Sequence, residues 1–275
     1  MKNIFAWCFI LVTFPSWAEV IKSEIHSVEK VKNNYLVKFE NGRVAFVNAN
    51  EKSFMSHNFS ALKHKMVEAR LSEDYSLLSL HPIEDQAGVS KMLEGVETVE
   101  PPLYEPTVVP SYAEATTIFN RLNPNYRRAS ECTNRAHVWA SEEFKKNNLK
   151  SMKVFALFTA SYIDRVRFKW WFHVAPMLAV QEGGKIERRV LDFMFSRAPL
   201  TVKEWTDQFV FSQRPCLPTT KFSEYDVNPQ TEDCYLMDGP MYVWSPKDLS
   251  NQETQGKYKT EFYQSEIRAS YSEAF

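Results

Sequence analysis

The sequence predicts an α+β protein built of two units joined by a proline-rich connection. Three observations carry this. A β-rich stretch with an Asn-Gly turn signal lies near the start. A helical run beginning at a cysteine lies near the middle. Two strand patterns follow it, one holding a histidine and the other an aspartate.

The 275 residues suffice for one large or two small domains. Lys+Arg number 33 against 34 Asp+Glu, so no basic bias points to nucleic acid. The seven glycines form none of the usual phosphate-cradling spacings. Aromatic residues, at 14%, are numerous enough to line a cleft as well as a core.

Residues 1–18 read as an export signal. Lys2 supplies the charge, Ile4 to Phe14 the apolar run, and Ser16-Trp17-Ala18 the cleavage site, with cutting expected after Ala18. The run is too short to span a bilayer, so no membrane attachment is expected once it is removed. The protein is expected in the periplasm or the medium. Cys8 leaves with the peptide, and Cys132, Cys216 and Cys234 remain. In an oxidising compartment two would pair. Cys216 and Cys234 are close in sequence and lie in polar, proline-containing surroundings, so they are the expected disulfide. Cys132 is then the free thiol, and its survival there is best explained by use.

From Glu19 to about Pro82 the pattern is strand-rich. Tyr35 to Phe39 and Arg43 to Val47 flank Glu40-Asn41-Gly42, a strong hairpin signal. Ser56 to Lys65 reads as a short helix, and Met66 to Leu71 and Ser76 to His81 as two further strands. About 83–110 is a linker; Glu97 to Pro110 holds four prolines and several acids and reads as extended and exposed. The domain division is 1–18, 19–107 and 108–275.

In the second unit Tyr112 to Asn120 is a helix. Ser130 is the expected N-cap of the next, which carries Cys132, Ala136, Trp139, Ala140 and Phe144 and ends at Asn147-Asn148. The positive end of the helix dipole favours a thiolate in the first turn, and the thiolate is the nucleophile. A lone helical cysteine is also a common small core residue. Lys153 to Tyr162 and Arg167 to Val180 are predicted strands, with Pro176 implying an edge or a bulge. Lys185 to Phe193 is the partner strand across Gly183-Gly184. Thr201 and Glu204 form a capping box before Trp205. Beyond Thr206 the chain reads as loop-rich, with Tyr242 to Pro246 as a last strand ending in a turn.

If the hairpin turns at Gly183-Gly184, Ala175 faces Asp192 and His173 faces Met194. His173 and Asp192 then share a face as diagonal neighbours, about 7 Å apart between Cα atoms. Asp192 can accept from one ring nitrogen of His173 and leave the other for a thiol. A satisfied core histidine beside a hairpin aspartate fits the same pattern. Cys132 and His137, five apart on a helix, point about 140° away from each other, so no metal site is expected there.

Four segments resemble the bacterial protein-glutaminases, which deamidate protein-bound glutamine. Glu131 to His137 resembles their nucleophile segment and Trp170 to Ala175 their histidine strand. Val190 to Asp192, with Ala198 to Thr201 and Trp205, is similar to their aspartate segment, and Tyr242 to Pro246 to a late Tyr-x-x-Ser-Pro stretch. The match covers about 106–250. Residues 35–82 are similar, more weakly, to the family's pro-region. Phe193 stands where the family usually has proline.

The resemblance implies a papain- or transglutaminase-like catalytic domain, its cysteine helix packed on an antiparallel sheet that carries His173 and Asp192. It implies a Cys132, His173, Asp192 triad, no cofactor, and hydrolysis of glutamine side-chain amides through a thioester. The expected partners are protein substrates with exposed glutamine and the chain's own N-terminal pro-domain, with the molecule a monomer. Trp170 and Trp171 are candidates to line the cleft. A transglutaminase-like enzyme or a papain-like cysteine protease would use the same three residues. A non-catalytic exported binding protein would hold them as structure.

Overall fold

The computed structural model describes residues 18–49, 59–83, 104–211, 214–227 and 233–275. The export signal and most of the linker lie outside the described residues.

The N-terminal unit is a five-stranded antiparallel sheet in the order β3-β2-β1-β4-β5. β1 (Glu19–Val31) is long enough to serve two partners. Its first half pairs with β4 (Met66–Leu71) and its second half with β2 (Asn34–Phe39), with a register shift between Ile25 and Ser27. β3 (Val44–Asn48) and β5 (Leu77–Pro82) complete the sheet. Between β3 and β4 the described helix, α1, is Phe59–Leu62, shorter than the predicted span; residues 51–58 lie outside the described set.

β2 and β3 are buried on both faces. Val37, Phe39, Ala45 and Val47 point into the unit's own core with Ile21, Ile25 and Leu80. Leu36, Val44 and Phe46 point the other way, into a core shared with Phe155, Phe158 and Phe172 of the second unit. Each such side chain withdrawn from water contributes roughly 2 kcal/mol, so the two units are held by a hydrophobic interface.

The second unit is a sheet in the order β10-β9-β8-β7-β12-β11, with β6 (Val108–Val109) beside β8. β7 (Met152–Phe158), β8 (Phe172–Glu182), β9 (Lys185–Val190) and β12 (Cys234–Pro240) form its antiparallel centre. β10 (Leu200–Thr201) and β11 (Leu217–Thr219) lie at its edges. α2 (Tyr112–Arg121) and α3 (Cys132–Asn147) pack over it, and α8 (Gln264–Ala274) packs on α3.

Several expectations are corrected. The predicted strand to Tyr162 ends at Phe158, where Thr159 caps α4 (Ala160–Val166) by accepting from the Tyr162 N–H. Arg167 closes that helix at φ 52°, so β8 starts at Phe172, not at Arg167. Pro176 is neither at an edge nor in a bulge: β8 is central, and its pairing with β7 runs unbroken. The ladder to β9 ends at Met177 and Val190, and the Pro176 carbonyl accepts from the Leu191 N–H on that side. In an antiparallel strand the N–H and C=O of a residue point the same way, so the absent proline N–H falls where no partner strand remains.

Three helices occupy the stretch read as loops: α6 (Phe222–Val227), α7 (Pro246–Gln255) and α8, after the short predicted α5 (Val202–Thr206). Tyr242 to Ser245 is the connection into α7, with Pro246 in the helix's first turn, and not a strand. The linker's described end, 104–110, is tied to the second unit. Tyr104 donates to the Ser151 carbonyl, and the Thr107 N–H donates to the Lys150 carbonyl at 2.8 Å. Cys216 and Cys234 form the expected disulfide. Among the described residues no helix is long and apolar enough to cross a membrane.

Candidate active site

Cys132 is the first residue of α3, half-buried, and the free cysteine among the described residues. Ser130 is not the N-cap. Its hydroxyl donates to the Arg127 carbonyl at 2.6 Å and accepts from Arg135 at 3.0 Å. Glu131 takes the cap position with extended backbone and no side-chain cap bond. The first-turn N–H groups beside the thiol are therefore not used by a capping side chain. The helix ends as expected, with Asn148 in the left-handed region at φ 52°.

Ten of the sixteen residues of α3 are buried, several of them polar, and each of those discussed here has a partner. The Asn134 carbonyl oxygen accepts from Trp244 Nε1 at 3.1 Å and from Ser270 Oγ at 3.2 Å. Glu143 accepts a forked pair of bonds from Arg121. These bonds fix the helix against α2, α8 and the connection into α7, and so fix where its first turn points.

His173 lies on β8 and is 2% exposed. Its Nε2 is 2.7 Å from Asp192 Oδ2, which leaves Nδ1 for the Cys132 side chain that also interacts with the ring. The predicted register across Gly183-Gly184 holds from Glu182 and Lys185 to Met177 and Val190. It does not extend to the site. Asp192 sits in the turn after β9, so Ala175 does not face Asp192 and His173 does not face Met194 across a ladder. The turn brings the carboxylate to the ring directly. Two further donors hold the carboxylate: the Met194 N–H to Oδ1 at 3.0 Å, from the turn, and Trp205 Nε1 to Oδ2 at 2.9 Å. Trp205 is placed by α5, whose capping box between Thr201 and Glu204 is present as predicted. Sequence reading named Trp205 but gave it no role.

Burial alone would push the His173 imidazole down. The Asp192 carboxylate and the Cys132 sulfur overcome it and hold its pKa up at about 9. Burial likewise pushes Asp192 up, but His173 and Trp205 keep it below the ordinary carboxylate value. The geometry therefore favours a charged imidazolium between an anionic carboxylate and the sulfur. Aromatic rings enclose it: Trp170 stacks at 5.8 Å between centroids, Trp205 at 5.5 Å, and Phe195 and Phe209 meet it edge-on. Such walls exclude water and strengthen the charge pairing.

The two tryptophans of the histidine segment do different things. Trp170 lies against His173, while Trp171 is fully buried against the N-terminal unit. Trp171 Nε1 donates to the Phe39 carbonyl at 2.7 Å and its backbone N–H to the Gly42 carbonyl at 2.9 Å. Gly42 has φ +88°, and a Cβ there would lie 3.0 Å from the Phe172 ring, so both conformation and space require glycine. The tip of the β2–β3 hairpin thus packs against the segments that carry His173 and Cys132. Asn41 hydrogen-bonds the Glu131 side chain, next to Cys132. Burial pushes the Glu131 carboxyl up to about 7. No sequence signal pointed to Glu131 or Asn41 as neighbours.

Glu24, Glu40 and His64 each bring a potential ligand atom within 4.8 Å of the others. Lys247 already engages Glu24 at 3.0 Å and His26 engages Glu40 at 3.1 Å, so the group is balanced as it stands.

Residues 109–209 match the family model described as glutaminase. No curated protein matches the chain in sequence. Among solved structures it is similar to a crystal structure of pro-protein-glutaminase, at TM-score 0.52 and 15% identity over 83% of this chain and 84% of that one. A mutant of pro-protein-glutaminase gives TM-score 0.53 and 14% identity over 83% and 85%. A solution structure of protein-glutaminase from Chryseobacterium proteolyticum gives TM-score 0.39 and 16% identity over 59% and 85%. The two pro-enzyme likenesses show a common mixed α+β fold that extends through the N-terminal unit.

Proposed function

From the premise that residues 109–209 belong to the glutaminase family, we propose that the chain is an exported protein-glutamine deamidase made as a zymogen. The observation that carries the chemistry is the contact set of His173, with Asp192 on Nε2 and Cys132 on the other side of the ring. Cys132 and His173 are the catalytic residues of this reading, with Asp192 completing a papain- or transglutaminase-like triad.

The thiolate of Cys132 attacks the side-chain amide carbon of a substrate glutamine. The backbone N–H groups at the start of α3 are positioned to receive the developing oxyanion. His173 gives its proton to the departing nitrogen, which leaves as ammonia, and a thioester remains. His173 then takes a proton from water as the water oxygen attacks the thioester. Glutamate is released and the thiol is restored. Asp192, itself held by Trp205 and Met194, fixes the ring and stabilises its charged form.

The N-terminal unit supports the zymogen reading through its hairpin tip, which lies beside Glu131, and through the apolar face it shares with the second unit. It is released when the linker is cut within 84–103. A covering unit tethered in this way acts at high effective concentration, and cutting removes that advantage.

The test is intact mass of a glutamine-containing protein, with ammonia measured, before and after limited proteolysis of the chain. Mass rising in steps of NH2 exchanged for OH, with matching ammonia, without cross-links or fragments, and faster after cutting, is expected. Cross-linked products would favour the transglutaminase and new fragments the protease. Cys132→Ala and His173→Ala should each remove several orders of magnitude of activity. Near-wild-type turnover by folded Cys132→Ala would end the mechanism. Full activity before cutting would end the zymogen.

A further inference from the structure

The N-terminal unit places a lysine in an unusual position. Lys38, on β2, is 1% exposed and its side chain crosses into the second unit. Its Nζ lies 4.9 Å from the ring centre of Tyr225 and 5.7 Å from that of Trp171, and it donates to Tyr225 Oη at 2.8 Å. Tyr225 in turn donates to the Phe158 carbonyl at 2.9 Å, which orients the phenol oxygen toward the lysine. The two rings lie within 16° of parallel, with centroids 6.2 Å apart. An oriented hydroxyl and the two aromatic rings beside it make a cation-binding cage.

The ownership of the parts is informative. Both walls and the oriented hydroxyl belong to the second unit, while the cation and its counter-charge, Glu29 at 2.6 Å, belong to the first. When the N-terminal unit departs, Lys38 and Glu29 leave together, and so does His26, which stacks on Trp171 at 4.4 Å. The second unit then presents a Trp–Tyr cage whose occupant has gone. The cage is near the site. Trp171 is two residues from His173, and the hairpin that places Lys38 in the cage places Asn41, three residues on, at Glu131.

We propose that the Trp171–Tyr225 cage is a substrate subsite that receives a lysine or arginine side chain close in sequence to the target glutamine, and that Lys38 occupies it in the uncut chain. This rests on the deamidase reading above. The enzyme then prefers glutamines close to a basic residue. Arginine suits the cage as well as lysine does, because its planar guanidinium stacks on aromatic faces.

The experiment uses the full chain cut within 84–103 and two otherwise identical peptides, each with one glutamine. One carries lysine three residues before the glutamine, the other alanine. Ammonia release is expected to give a kcat/KM about tenfold higher for the lysine peptide, in line with a desolvated cation–aromatic contact. In Tyr225→Leu the ratio of the two peptides should fall toward one, whereas Tyr225→Phe, which keeps the ring, should retain most of it. Equal rates in the wild-type chain overturn the subsite even if Tyr225→Leu fails to fold. A lysine preference that survives intact in folded Tyr225→Leu also overturns it, because the preference then arises elsewhere. If the cut chain deamidates neither these peptides nor an intact glutamine-containing protein, the deamidase reading falls and the subsite with it.

Discussion

His173 and His137 are both buried, at 2% and 0% exposure, in the same unit, yet they are held in opposite states. His173 has a carboxylate at 2.7 Å, and its pKa is held up at about 9. His137 has the amine of Lys153 at 2.8 Å from its Nδ1. Burial first, and then Lys153, Lys259 and Lys145, press it far below the ordinary imidazole value. Glu266 comes within 3.5 Å of His137 Nε2, but Lys259 is bound to that glutamate and to Asp248. Lys153 is itself pushed well below the usual lysine range by burial and donates to the Val243 carbonyl. Burial is thus common to both rings, and the charge of the neighbour decides the outcome. One ring is equipped to give and take a proton; the other is a neutral packing element on the buried side of α3.

The largest break in this contrast comes from Asp192→Asn. It keeps the shape of the side chain and removes the charge that holds the His173 pKa up, so kcat should fall by about three to four orders of magnitude, as in a comparable triad. The His173 titration, followed by NMR, should move down. An unchanged titration would show that Asp192 is not what charges the ring.

Lys153→Met should act on the other ring and on stability alone. It leaves His137 Nδ1 and the Val243 carbonyl without their partner, and a buried polar group so stranded costs about 1–3 kcal/mol. Chemical denaturation should show that loss, while kcat after activation stays within a few-fold. A drop in kcat comparable to that of Asp192→Asn would place His137 in the reaction and collapse the distinction.

The smallest effect, and the sharpest discriminator, is the pH dependence of stability. His173 has a folded pKa of about 9, above its unfolded value of 6.5. Its contribution is fully present below about pH 6.5 and is lost as pH rises through about 9. His137 has a folded pKa below its unfolded value, so the unfolded chain takes up a proton that the folded one refuses. Its burden appears as pH falls below about 6.5. Melting temperature against pH should therefore lose its alkaline slope in His173→Gln and part of its acid slope in His137→Phe. Identical profiles for the two variants would contradict the opposite assignments.

Much of the site was legible because it rests on local rules. The Asn-Gly and Gly-Gly turns, the capping box at Thr201 and the helix from Cys132 to Asn147 follow from turn chemistry and period, and they stand. The diagonal placing of His173 and Asp192 led to a real contact by an inexact route. Pro176 marks the end of pairing, and the turn, not the ladder, carries the aspartate. What was missed is tertiary. Asn41 and Glu131 are ninety residues apart in sequence, and nothing in either segment names the other. The helices beyond Thr206 are short and only partly buried, so their apolar period is weak. β2 was read correctly as a strand, but that two different cores claim its two faces was not, because both faces of a doubly buried strand are apolar alike.

The fixing of α3 by α8 has a temporal side. Ser270 bonds Asn134, two residues from the nucleophile, and the Ala274 carbonyl receives the Arg127 N–H at 2.7 Å. Strand β12 lies between β7 and β11, so the sheet beneath α3 is open until 234–240 arrive. A chain made from its first residue onward completes the nucleophile helix about 120 residues before its cover, roughly 6–24 s at ordinary synthesis rates. The hairpin that packs beside Glu131 and Trp171 is made before either. On the zymogen reading proposed above, the finished cysteine site exists at no stage of synthesis without its cover, and a chain halted before 264 should carry the thiol without the geometry that puts it to use.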